Sequence, residues 1–131
     1  MVITNEEIVM KYTVYQYHIS EEAYDHLNNV GCSGDFEPYP ELYIQRDVKF
    51  VGAKKFSAWM SEYYNAVCEI EAEDLEEVFH IGNVGGSIKL IADKIYSVSV
   101  GDIIHHHKTN TFHMVDDFGF TQLLSFMKEV A

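Results

Sequence analysis

The spacing of apolar and polar residues changes period several times along this 131-residue chain, and each change suggests an element. Between Ile8 and Ile19 aromatic and β-branched residues dominate, which predicts a strand. Alternation puts Tyr15, Tyr17 and Ile19 on one face and Val14, Gln16 and His18 on the other. Ser20 then offers a hydroxyl to cap a helix, and Glu21 and Glu22 suit the positive end of its dipole. Ala23, Leu27 and Val30 recur at helical spacing and Gly31 is a natural stop, so a helix is expected over about 21–30.

Gly31, Gly34, Pro38 and Pro40 mark a loop. Glu41 to Phe50 has no clear period, although Leu42-Tyr43-Ile44 looks extended. Phe56, Trp59, Met60 and Tyr63 fall at i, i+3, i+4 and i+7 and predict a helix over about 53–64 with one apolar stripe. Ala66 to Ile70 reads as a short strand. A short helix over about 73–80 follows, with Leu75, Val78 and Phe79 facing inward and Gly82, Gly85 and Gly86 breaking it. The segment from Tyr96 onward is β-like, and Lys108-Thr109-Asn110 supplies the turn of a hairpin. Asp117 to Phe120 suggests a further strand, and Leu123, Leu124 and Met127 a short terminal helix. The fold expected is one α+β domain over residues 1–131, a mostly antiparallel sheet with two to four short helices.

Composition narrows the function. The chain is 47% hydrophobic, enough to offset the entropy of ordering it. Its 21 acids against 9 bases leave a net charge of -12. That balance disfavours binding to a phosphate backbone or to anionic lipid. The N-terminus lacks a basic region followed by an apolar stretch, and no segment is apolar for long enough to span a membrane, so a cytoplasmic protein is expected. Cys32 and Cys68 read as reduced thiols, with no Cys-x-x-Cys pair.

The charge is uneven. Residues 1–80 carry 16 acids and 5 bases, whereas residues 81–131 carry 5 and 4. Glu69, Glu71, Glu73, Asp74, Glu76 and Glu77 crowd together and create a strong local field. They are the candidate contact surface for a partner with a basic face, and a mimic of DNA phosphates is the alternative. The acids do not follow the pattern of an EF-hand loop.

His105, His106, His107 and His113 are the other concentration of chemistry. With a hairpin turning on Thr109-Asn110, His106 sits opposite His113, close enough for two imidazoles to share a metal, whereas a register one residue different puts His105 or His107 opposite His113. A catalytic zinc takes three protein ligands, and Asp102, Asp116 or Asp117 is the available third. No Gly-x-Ser-x-Gly elbow or phosphate loop with its lysine is present, so no catalytic residue or cofactor is nominated and a non-enzymatic role is favoured.

Ser97-Val-Ser-Val-Gly-Asp-Ile-Ile, Phe112-His-Met-Val and Phe118-Gly-Phe120 resemble the ending of YodL-like domains and of small proteins from bacteriophages and mobile elements. Asp74-Leu-Glu-Glu-Val-Phe79 followed by Gly82-Asn83 matches the segment that precedes that ending, so the resemblance covers about residues 72–122. It implies a phage or mobile-element setting and carries over no catalytic residue. The chain departs from the family pattern at His105, His106 and His107, where acidic, small or apolar residues are usual. With the acidic cluster, the resemblance points to a small interaction protein that binds a host or phage protein. A metal-dependent module on the hairpin and a DNA mimic are the alternatives. Exposed faces among nine tyrosines leave self-association open.

Overall fold

The strand predicted from the first apolar run is β1, Met10–Tyr17, in a computed structural model that describes residues 9–31 and 35–126. It is followed by α1, Glu21–Val30, at the bounds expected. Ser20 Oγ accepts a hydrogen bond from the Ala23 amide at 3.1 Å, and Gly31 closes the helix at φ 76°. Ala23 is buried and Leu27 packs beside it, but Val30 is exposed. Cys32 and Met127 lie outside the described residues.

Six strands form one sheet in the order β3-β2-β1-β4-β5-β6, with every neighbouring pair antiparallel. The others are β2 (Tyr64–Ala72), β3 (Ile88–Leu90), β4 (Ile103–His106), β5 (Thr111–Val115) and β6 (Phe120–Leu123). Together with the helices they make the α+β architecture anticipated from the sequence. Among the described residues, no helix is long and apolar enough to cross a membrane.

Alternation along β1 divides the core between two faces. On the first, Tyr12 and Val14 pack with Cys68, Ile70, Ile104 and Val115. This face is covered by α3 (Leu75–Val84) through Val78 and by the segment carrying Val98. On the second face, Tyr15 packs with Tyr64, Ile103, Met114 and Leu123 under Ile44, Val48, Met60 and Phe126. A bulge between Val14 and Tyr15 shifts the β1–β2 register, with Val14 opposite Cys68 and Tyr15 opposite Ala66.

Three sequence expectations change. Leu42-Tyr43-Ile44 is helical rather than extended, and the stretch without a clear period around it is helical too: α2, Glu41–Tyr43, continues as a π-helical segment, Ile44–Lys49. Leu42 packs with Ala23 and Phe36, while Ile44 and Val48 reach the sheet, so tertiary burial overrides the local preference. The helix expected over 53–64 is replaced by two 3-10 turns, Ala53–Lys55 and Ala58–Tyr63, separated by extended backbone at Phe56 and Ser57. Met60 is buried, but Trp59 is 45% exposed, so the predicted stripe does not form. Leu123 ends β6 and Leu124 is exposed, which leaves no terminal helix among the described residues.

Helix α3 also runs further than expected. Asp74 Oδ1 accepts from the Glu77 amide at 2.9 Å, and Glu77 Oε1 accepts from the Glu73 amide at 2.7 Å. Gly82 lies inside the helix, Gly85 caps it, and Phe79 points outward.

Candidate functional site

The hairpin pairs Ile104 with His113 and His106 with Thr111. The expected turn on Thr109-Asn110 is therefore displaced, and residues 107–110 form a four-residue loop. A two-residue type I′ turn needs positive φ at both central positions, and a type II′ turn needs it at the first, here Thr109. Asn110 adopts φ 54°, but Thr109 does not, as expected for a β-branched side chain. His106 and His113 consequently share a face but are diagonal neighbours rather than a direct pair.

Each histidine has a distinct setting. His106 meets the Tyr12 ring edge-on at 4.7 Å between centroids, and its buried Nδ1 has no hydrogen-bond partner. His113 Nε2 and Thr111 Oγ1 are hydrogen-bonded at 2.8 Å. Burial holds both imidazoles below their ordinary pKa, and each is lowered further by a neighbouring histidine. On the opposite face, His105 stacks on Phe112 and its Nε2 is bonded to Asn110 Oδ1 at 2.8 Å. His107 Nε2 and Thr13 Oγ1 lie 2.6 Å apart. Among the described residues, no group of three or more His, Cys, Asp or Glu is arranged to hold a metal. Asp102 and Asp116 are engaged elsewhere: Asp102 with Gln16 and Ser99, Asp116 with Ala53 and Thr121. The Asp117 amide donates to Asp116 Oδ1.

The six clustered acids are divided by the sheet. Glu69 and Glu71 pair with Thr13 and Lys11 on the second face, where Lys89 Nζ lies 3.9 Å from Glu69. Glu73, Asp74, Glu76 and Glu77 instead surround the start of α3. There a groove of about 570 Å³ brings Glu73, Asp74 and Glu76 together with His106, His113 and Tyr12. The two features that looked independent in sequence thus meet in one place, because α3 packs across the first face beside the hairpin.

A second site has little sequence signal. At the end of β1 a cavity of about 480 Å³ is lined by Gln16, Tyr17, Gln45, Lys49, Tyr96 and Asp102, among others. Gln16 is buried on the first face of β1, with Nε2 donating at 2.9 Å to both Asp102 Oδ2 and the Tyr96 carbonyl. The Tyr96 amide donates back to Gln16 Oε1 at 3.1 Å, and the Ser99 amide donates to Asp102 Oδ2 at 3.0 Å. Burial pushes the Asp102 carboxyl up to about 7, although the Ser99 amide, Gln16 and Lys49 pull the other way. Gln45 and Lys49 come from the π-helical segment, a conformation frequent at functional sites. The weak signals were a glutamine in an apolar strand and an aspartate after Gly101, which takes φ 96°.

These features define a small α+β domain with an acidic groove on one sheet face and a polar cavity at the end of its central strand. A model of the YodL-like domain family matches residues 35–126, and the chain belongs to that family. The match reaches well upstream of the C-terminal pattern and takes in the π-helical segment. No curated protein and no solved structure matches the chain.

Proposed function

We propose that this YodL-like domain is a binding module whose partner, a host or mobile-element protein, inserts a basic segment into the groove beside α3. The observation that carries this reading is the convergence of Glu73, Asp74 and Glu76 with the apolar surfaces of Tyr12, Leu75 and Phe120. A lysine or arginine can lay its aliphatic stem on such surfaces while its charge meets the carboxylates. The net charge of -12 favours encounter with a basic protein. A DNA mimic is less well supported, because Glu69 and Glu71 sit among lysines on the opposite face.

The test reverses Glu73 and Glu76 to lysine and leaves the capping pair Asp74 and Glu77 intact. Protein captured from host lysate and binding of Arg/Lys-rich peptides are compared with those of a Glu21→Lys/Glu22→Lys control on α1. Groove reversal is expected to weaken binding about tenfold or more, with the control retaining it. An unchanged partner set and peptide affinity would overturn the reading.

The histidines support a second reading. His106 Nδ1 is buried and unpartnered, and His113 lines the same groove, so a metal there would find two nitrogen donors but would have to draw in Glu73 or Glu76 by side-chain movement to gain a third ligand. Protein purified without nickel resin should then carry stoichiometric zinc, iron, nickel or copper. Sub-stoichiometric amounts of all four remove this reading.

A further inference from the structure

The cavity at the end of β1 adjoins a smaller one of about 210 Å³, and the two share Gln16, Tyr17, His18 and Tyr96. Their charge is unlike that of the chain. Against 21 acids and 9 bases overall, the two linings hold Lys49, Lys94 and one acid, the buried Asp102. Gln45 and Asp102 both line the cavity: Gln45 Oε1 is buried without a hydrogen-bond partner, and the Asp102 carboxyl accepts from Gln16 and Ser99 through Oδ2. Tyr17, Tyr24 and Tyr96 provide aromatic walls, and Lys94 Nζ lies 5.6 Å from the centre of the Tyr96 ring.

A ligand suited to this cleft has two unlike ends. The inner end must donate hydrogen bonds, because a buried acceptor without a donor is costly. The outer end should be anionic to use the lysines. Inorganic phosphate satisfies only the lysines, and a simple cation satisfies only the inner acceptors. An aromatic ring between the two ends would use the tyrosines by stacking. The size lies within the range of small-molecule sites.

We propose that the cleft binds a nucleoside monophosphate, with the N–H edge of the base toward Gln45 and Asp102 and the phosphate toward Lys49 and Lys94. Guanine is the base with adjacent ring and exocyclic N–H donors, so its chemistry suits an acceptor-bearing wall best. This site is separate from the groove beside α3, and neither reading depends on the other.

Titration calorimetry of the full chain with GMP, AMP, CMP and UMP tests the proposal. Saturable binding is expected, strongest for GMP, with guanosine and inorganic phosphate each weaker by about tenfold or more. Lys49→Ala and Gln45→Leu should each weaken GMP binding by about tenfold, whereas Lys89→Ala on β3 should leave it unchanged. Circular dichroism of each variant separates lost binding from lost folding. Should Gln45→Leu fail to fold, the exposed Lys49 position still decides the assignment. No saturable binding of any of these nucleotides, phosphate bound as tightly as GMP, or unchanged binding by folded Lys49→Ala would each overturn it. Preference for a zwitterionic amino acid such as tyrosine over every nucleotide would do the same.

Discussion

Asp102 shows how one side chain acquires a property through distant neighbours. Gln16 approaches it from 86 positions away in the chain, and Lys49 comes from the π-helical segment. Burial raises its carboxyl from the ordinary carboxylate range to about 7, so between those values the folded state holds a proton that the unfolded state releases. Its contribution to stability is therefore fully present below the unfolded pKa and is lost as pH rises through about 7. Asp102→Asn keeps an oxygen acceptor for Gln16 and Ser99 while removing the ionisation. Urea unfolding at several pH values should show the variant gaining on the parent between pH 4 and 8, by a few kcal/mol as an order of magnitude. A pH-independent difference would show that this carboxyl titrates normally. Asp116 has the opposite sign: the Thr121 hydroxyl holds its pKa below the usual range, so its stabilising contribution is lost as pH falls through that lowered value.

Helix α3 depends on both its cap and its fit to a loop. Its Asp74 cap was not distinguished from the surrounding acids by charge patterning, although Asp-x-x-Glu ahead of an apolar run is a capping signal. Replacing Asp74 by alanine should cost about 1 kcal/mol in chemical denaturation. Gly82 looked like a helix breaker but lies where a Cβ would come within 2.3 Å of Val98 Cγ2. Gly82→Ala should therefore destabilise by about 1–3 kcal/mol through overpacking, despite alanine's better helix propensity. A higher melting temperature for that variant would contradict the close approach. The 53–64 prediction failed for a related reason. An i, i+3, i+4, i+7 pattern records which residues are apolar, and two 3-10 turns joined by extended backbone can carry the same residues.

Across the molecule, β1 is the organising strand because it pairs with β2 on one side and β4 on the other and contributes to both core faces. The amides of Val14 and Tyr15 should exchange with solvent only on global unfolding, whereas those of the three-residue edge strand β3 should exchange through local opening. Native-state hydrogen exchange checks this, and equal protection of β1 and β3 would refute it. The uneven charge also takes a different form in three dimensions. Alternation sends Glu69 and Glu71 to the face opposite α3, dividing a cluster that is continuous along the chain.

Local chemistry was enough to reveal β1, α1, the core of α3 and the antiparallel character of the sheet. These rest on short-range causes: side-chain alternation, a serine cap, acids in a first turn and glycine after Val100. The hairpin register, the π-helical segment, the groove and the Asp102 cavity depend on contacts between distant residues. Such contacts leave little periodic trace, because the energies that select them come from burial and from satisfying polar groups once the faces have packed. His106 and Glu73 become neighbours of one groove for that reason, as Gln16, Gln45 and Asp102 become the wall of one cavity.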